Sequence, residues 1–306
     1  MTIQSILVAT DLSVPENMVV RRALRLAIAH DATLRLKYMP PTGQKPAADA
    51  AARLSQLAGE LEQATGMRMA VDAVQPYKVE DLCAEARGLD LLVLPHRRER
   101  STAAFFRGQP VLRVLRTARC PVLVARRTPD ADYGRILVAV DFSAESESLL
   151  QLAGDLDAHA ELELFHAVDT LGEARLRAAE ATEHAVRAYR AHCLRHARDR
   201  MLTLTDSYVA RRNRLLTHIG RGDPGRQVVV QQEHSDADLV VVGKRRTSAW
   251  EDFLCGSVAH RVLSWGRSDV LVVPLGLPPA TAPHAARRIL AVPDGGLRIP
   301  AERRTS

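Results

Sequence analysis

ILVATDLS, Ile6 to Ser13, returns as ILVAVDFS, Ile136 to Ser143, 130 residues further along a 306-residue chain. A second landmark repeats in the same order. DLLVLPHRRERSTAAFFRGQPVLRVL, from Asp90, matches DLVVVGKRRTSAWEDFLCGSVAHRVL, from Asp238, at an offset of 148. Each copy then closes on a Val-rich run, PVLVARR from Pro121 and DVLVVPLG from Asp269. Two ordered matches with the same spacer after the second identify an internal duplication. The step from 130 to 148 places 18 additional residues between the landmarks of the second half.

Within each half, short aliphatic runs alternate with helical patterns. Ile6 to Ala9 has the continuous apolar character of a strand covered on both faces. Ser13 and Glu16 have capping-box spacing with Pro15 in the first turn, which predicts a helix start. Strand Leu34 to Met39 follows, then a helix with Leu54, Leu57 and Leu61 on one stripe. Strand Arg68 to Val74, helix Val79 to Arg87, strand Asp90 to Leu94, helix Pro110 to Thr117 and strand Pro121 to Ala125 complete the half. This alternation predicts an α/β fold of two tandem modules, each a doubly wound, Rossmann-like parallel sheet. In such sheets ligands bind beyond the carboxyl ends of the strands. Asp11 and Asp141 fall at such ends, as does the loop that opens at Gly243.

A strand ending ILVAxDxS, a late strand ending in glycine, and a loop closing on Gly256-Ser257 before a helix resemble the universal stress protein family. The resemblance spans residues 1 to about 276 as two modules, 1–128 and 133–276, and leaves 277–306 as a tail. It implies an adenine-nucleotide site built on Gly, two residues, Gly, nine residues, then Gly-Ser or Gly-Thr. Glycines there admit phosphates close to backbone N–H groups, and the last pair opens a helix whose N-terminus attracts an anion. In the second module Gly243, Gly256 and Ser257 match this pattern and Val258 follows inside the helix. Arg246 replaces the middle glycine. Its side chain either blocks the backbone approach or bonds phosphate oxygens itself. By the same resemblance Asp141 addresses the nucleoside and the backbone of Ala167 faces the adenine. The implied ligand is ATP or AMP, with Mg²⁺ as an accompanying cation.

The first module departs further from the family pattern. Pro95 stands where Gly243 does, Arg98 where Arg246 does and Gln109 where Ser257 does; Gly108 and Asp11 remain. Proline removes an N–H donor and fixes φ, so this module reads as a structural partner. Family resemblance also implies that modules pair along their last strands. An edge strand such as Val270 to Val273 would otherwise be left open, and a tandem chain supplies an intramolecular pseudo-dimer. Assembly into a homo-oligomer is left open.

The composition, 46% hydrophobic and 25% charged, belongs to an ordinary globular chain. No apolar run approaches the roughly 20 residues of a membrane span, and no secretory leader is legible at the N-terminus. Cys83, Cys120, Cys193 and Cys255 form no C-x-x-C pair, which points to a reduced, cytoplasmic setting. The net charge of +6 is matched by Leu171 to Arg226 alone, with twelve Arg against six acids.

The insertion, about 172–214, predicts one long basic helical stretch. Val186, Tyr189, Cys193, Ala197, Met201, Leu204 and Tyr208 form an apolar stripe, with Arg187, Arg190, Arg195, Arg198 and Arg200 over the remainder. The basic surface from Arg175 to Arg214 lacks the aromatic interleaving of a nucleic-acid face and reads first as a solvated one. His192 and His196 have i, i+4 spacing with His184 nearby, but the H-E-x-x-H arrangement is absent, so these read as surface histidines. THIGR, Thr217 to Arg221, resembles the HIGH motif of adenylate-forming synthetases at the wrong place in the fold. The tail contains ILAVP, Ile289 to Pro293, in a Pro- and Arg-rich context. No residue set names a reaction, and no catalytic base is identifiable. The expectation is a cytoplasmic stress-response sensor or regulator binding nucleotide in the second module. The alternative is an interaction module with both sites closed and the basic helix as its partner surface.

Overall fold

The computed structural model describes residues 3–12, 18–40, 47–72, 79–96, 110–126, 131–206, 214–244 and 258–275. The first module contains β1 (Ser5–Thr10), α1 (Met18–His30), β2 (Thr33–Tyr38), α2 (Ala50–Thr65), β3 (Met69–Val71), α3 (Val79–Glu85, continued by a 3₁₀ turn Ala86–Gly88), β4 (Leu91–Pro95), α4 (Pro110–Thr117) and β5 (Val122–Ala125). The second contains β6 (Arg135–Ala139), α5 (Ser146–Leu156), β7 (Glu161–Val168), α6 (Leu171–Ala178), α7 (Glu183–Thr205), β8 (Leu215–Arg221), α8 (Pro224–Ser235), β9 (Leu239–Lys244), α9 (Val258–Trp265) and β10 (Asp269–Pro274). The predicted start of α1 at Ser13, Pro15 and Glu16 lies outside the described residues.

Among the described residues the ten strands form one sheet in the order β3-β2-β1-β4-β5-β10-β9-β6-β7-β8. Pairing is parallel within each module, and β5 meets β10 antiparallel through Val124↔Val270, Leu123↔Leu271 and Val122↔Val272. The carboxyl ends of the two modules' strands therefore lie at opposite edges of the sheet. Strand residues alternate between two buried layers, as a period of two requires. Ile6, Val8, Ile136, Val138, Leu162 and Val241 face α1, α2, α5 and α7. Leu7, Ala9, Leu137, Phe165, Val240 and Val242 face α3, α4, α8 and α9. Both faces are covered, which is why the strands read as unbroken aliphatic runs.

The duplication extends to individual hydrogen bonds. Asp90 Oδ2 accepts from Gln4 N at 2.9 Å and Ser5 N at 3.0 Å. Asp238 Oδ2 accepts from Gly134 N at 2.9 Å and Arg135 N at 3.1 Å. Each aspartate staples the start of its module's first strand to the start of the fourth.

The modules are joined by more than the ladder. Asp269 is fully buried; it accepts from Arg126 N at 2.7 Å and Tyr133 Oη at 2.9 Å. Arg22 Nε lies 3.0 Å from Asp269 Oδ2 as a buried ion pair, its N–H not aligned for a hydrogen bond. The Arg22 guanidinium also stacks on Tyr133 at 4.3 Å from the ring centroid. Arg126 donates to the carbonyls of Leu263 and Gly266 at the end of α9, and Lys244 Nζ donates to Leu115 O near the end of α4 at 2.7 Å. Each module thus sends a cation to the carbonyl end of a helix in the other, where the helix dipole favours it.

The insertion differs from the predicted single helix. It is a helix pair, α6 and α7, broken at Ala179–Thr182, with Thr182 capping α7 by accepting from Ala185 N at 3.3 Å. Val186, Ala197 and Met201 are buried as expected, whereas Cys193 and Leu204 are half-buried and Tyr189 is 38% exposed. Tyr208 lies outside the described residues. Two of the arginines assigned to a solvated face, Arg190 and Arg200, bond to other parts of the chain. Arg190 and Arg221 converge on Glu173, whose side chain is 2% exposed, with Arg190 Nη2 2.8 Å from Oε2. Hydrogen bonds from Arg190 and then Arg221 hold the Glu173 carboxyl down at about 2. Arg200 bonds at the strand ends, described below. THIGR proves to be strand β8, paired parallel to β7.

Candidate functional site

Three neighbouring strands bring together three of the sequence-predicted residues of the second module, Asp141, Ala167 and Gly243. Ala139, the last residue of β6, pairs with Val242 of β9 on one side and Phe165 of β7 on the other. Gly243 follows Val242, Ala167 lies two beyond Phe165, and Asp141 lies two beyond Ala139. They therefore meet at one carboxyl edge, where the order β9-β6-β7 surrounds the first strand of the module. This is the switch-point position at which a doubly wound sheet leaves its crevice. Val258 is the first residue of α9, which descends from the same edge. Arg246, Gly256 and Ser257 lie outside the described residues, as do Arg98, Gly108 and Gln109 of the first module.

Asp141 is held by its own turn. Its Oδ1 accepts from Ser143 N at 2.9 Å and Ser146 Oγ at 3.4 Å. Between them Phe142 has a φ of 59°, and Leu12, after Asp11, has the matching 56°. A left-handed conformation at a residue with a Cβ costs roughly 1–2 kcal/mol. Both copies nevertheless keep it, and in both an arginine holds the strained residue's carbonyl. Arg53 Nη2 donates to Leu12 O at 3.0 Å, and Arg200 Nη2 donates to Phe142 O at 2.8 Å. The two arginines occupy equivalent helix positions. Ala50 and Leu54 are buried beside Arg53 as Ala197 and Met201 are beside Arg200.

His166 lies against this turn. Its ring lies 4.0 Å from that of Phe142 at 33°, and its Nδ1 is 2.8 Å from Val140 O, so Nδ1 carries the proton that is donated. Burial lowers the His166 pKa, and the charge of His196 on α7 adds to this; the bond to Val140 and the charge of Asp141 oppose it.

Gly243 and Lys244 have packing roles at this edge. A Cβ on Gly243 would meet Leu275 Cδ1 at 2.7 Å and Leu149 Cδ1 at 3.0 Å. Lys244, the first cation of the loop, reaches Leu115 O of the other module. In the first module Pro95 pairs with Ala125 at the end of β4. A separate cavity of about 400 Å³, lined in part by Arg25, His30, Asp132 and His159, opens between α1 and the end of α5, away from this edge. Among the described residues no group of three or more His, Cys, Asp and Glu could hold a metal ion.

Sequence reading missed Phe142, His166, Arg53 and Arg200. Neither Leu12 nor Phe142 is a residue type that announces a positive φ. A signal for the arginines did exist in the matched spacing of Ala50, Arg53 and Leu54 with Ala197, Arg200 and Met201.

The profile of the Universal stress protein family matches residues 2–126 and again 132–274. No curated protein matches the chain. Among solved structures, a putative universal stress protein from Pseudomonas aeruginosa UCBPP-PA14 is 23% identical, covering 89% of this chain and 93% of that one at a TM-score of 0.66. A functionally unknown protein from Pseudomonas aeruginosa PAO1 is 23% identical over 89% of this chain and 92% of that one, with a TM-score of 0.65. A universal stress protein from Archaeoglobus fulgidus DSM 4304 is 18% identical over 88% and 96%, with a TM-score of 0.62. At these identities the structures speak for the shared fold, while the double profile match covers most of the sequence. By that match the chain belongs to the universal stress protein family.

Proposed function

We propose that the second module binds an adenine nucleotide, ATP or AMP, with Mg²⁺ accompanying ATP. The observation that carries this reading is the register of β9, β6 and β7, which gathers Asp141, Ala167 and Gly243 at one strand-end crevice. Asp141 and the backbone of Ala167 would address the nucleoside. Gly243, Arg246, Gly256, Ser257 and Val258 would address the phosphates, Arg246 through its guanidinium. The first module, with Pro95 at the equivalent strand end, serves as the structural half of an intramolecular pseudo-dimer. In this reading the protein acts as a sensor or regulator, with at most a weak ATPase activity, rather than as a dedicated enzyme. Modules at 1–128 and 133–276, a tail at 277–306 and a cytoplasmic setting belong to the same proposal. The described cysteines Cys83, Cys120 and Cys193 are free, in keeping with a reducing compartment. None of the described helices is long and apolar enough to cross a membrane.

A second reading has its own observation. Gly243 packs against Leu149 and Leu275, and Lys244 caps the other module, so both work for the fold without a ligand. In that reading the crevice is closed and the exposed arginines of α7, Arg187, Arg195 and Arg198, meet an acidic partner. Calorimetric titration with ATP and Mg²⁺ separates the two. The nucleotide reading requires saturable binding by wild type that Gly256→Glu abolishes. Absence of heat from protein stripped of nucleotide favours the closed crevice.

A further inference from the structure

The insertion sits where it can act on the crevice. At β2 and β7 the two modules correspond at an offset of 128 residues, Leu34 with Leu162. At the arginine pair, Arg53 and Arg200, the offset has become 147. The additional residues therefore lie between the second strand and the buried turn that carries the arginine. They form α6 and lengthen the arginine-bearing helix at its N-terminal end, giving 23 residues in α7 against 16 in α2. The near end of α7 is fixed by the Glu173 clamp to α6 and β8, and its far end by Arg200 to Phe142 O. Phe142 O belongs to the residue directly after Asp141.

We propose that Arg200 is a positioning residue for the second-module crevice, holding the strained Asp141–Phe142–Ser143 turn so that the placement of α6 and α7 is passed to Asp141. Geometry leaves few alternatives for the turn. Phe142 has left the ordinary φ region, its carbonyl is directed outward onto the guanidinium, and its ring is fixed against His166. Without the guanidinium the turn loses the donor that offsets part of its strain. In the first module Arg53 performs the same act on Leu12 from a helix with no insertion, so that turn is independent of α6 and α7. Arg200 works through the backbone of Phe142. Its consequence for binding rests on the nucleotide reading above, whereas its effect on the turn does not.

The test uses the full chain and two sets of measurements. Amide exchange at Ser143, whose N–H donates to Asp141, and the NMR titration of His166 report the turn itself. ATP affinity reports the crevice. Arg200→Ala is expected to speed Ser143 exchange and weaken ATP binding by roughly three- to tenfold each, the range for loss of one charge-assisted bond at a partly exposed site. It should also bring the His166 midpoint up towards the ordinary imidazole value as Phe142 lifts and water enters. Arg200→Lys, which retains one donor, should restore most of each effect. Arg53→Ala should speed exchange around Leu12 and leave ATP affinity unchanged. The proposal is overturned if Ser143 exchange and the His166 titration do not move in Arg200→Ala. It is equally overturned if Arg53→Ala reproduces both changes, because a general loss of stability would then account for them. Should wild type bind no ATP while the turn responds as stated, the nucleotide reading falls and the positioning role stands.

Discussion

Replacing Asp269 probes the join between the modules most sharply. The carboxylate is fully buried and serves Tyr133 Oη, Arg126 N and the Arg22 guanidinium, which is itself 5% exposed. Asp269→Ala leaves a buried guanidinium without its counter-ion, a change that typically costs about 3–5 kcal/mol. Asp269→Asn keeps the shape and one acceptor oxygen, so about half of that loss, ~2 kcal/mol, is expected. For a chain of this length 3–5 kcal/mol corresponds to a fall in thermal midpoint of about 5–8 °C, taking roughly 2 cal/mol/K of unfolding entropy per residue. Urea unfolding at pH 7 gives the free energies directly, provided the slope is unchanged. A cycle with Arg22→Met identifies the cause. The double variant Asp269→Ala/Arg22→Met should recover about 2 kcal/mol relative to the sum of the singles, because it removes both charges together. If the singles each cost less than about 1 kcal/mol and simply add, the buried pair is not what joins these modules.

Gly243→Ala should cost about 1–2 kcal/mol in urea unfolding without any ligand, since its Cβ would press on Leu149 and Leu275; a neutral result would assign this glycine to ligand approach alone. Glu173→Gln should destabilise by about 1–2 kcal/mol at pH 7, discounted for the partial exposure of its two arginines. Because the Glu173 pKa is depressed to about 2, its stabilisation is present above its unfolded value near 4.5 and is lost as pH falls through 2. The gap between wild type and Glu173→Gln in urea midpoints should therefore narrow between those two pH values. His166 has a lowered pKa, so the unfolded chain binds its proton first and this residue makes stability fall as pH drops below about 6.5. His166→Gln should flatten that part of the stability profile, and an unchanged slope between pH 6.5 and 5 would contradict the assignment.

The repeat made the fold legible because a strand buried on both faces has little freedom in composition. ILVAT and ILVAV, DLLVL and DLVVV advertise their burial, and helix Pro110–Thr117 appears with the boundaries its apolar spacing indicated. Other features were hidden for identifiable reasons. Strand β8 escaped notice because it is an edge strand with an exposed, mixed composition, LLTHIGR, whose period is weak. The insertion looked like one helix because the break at Ala179–Thr182 contains no Gly or Pro. Asp141, Ala167 and Gly243, singled out by family resemblance, fall at one strand-end edge, and strand register explains why they meet. The Phe142 turn was not legible, since its strain is carried by an ordinary hydrophobic residue and relieved by an arginine 58 positions away. Arginines that bond within the chain, Arg190 and Arg200, look identical in sequence to Arg187, Arg195 and Arg198.

Hydrogen exchange across the whole chain, with and without saturating ATP and Mg²⁺, bears most directly on whether the second module is the nucleotide-binding half. Added protection is expected only at the carboxyl ends of β6, β7 and β9 and in the first turn of α9. The matching ends of β1, β2 and β4 should be unaffected. Protection of both modules alike, protection centred on α7, or no change at all would contradict this expectation.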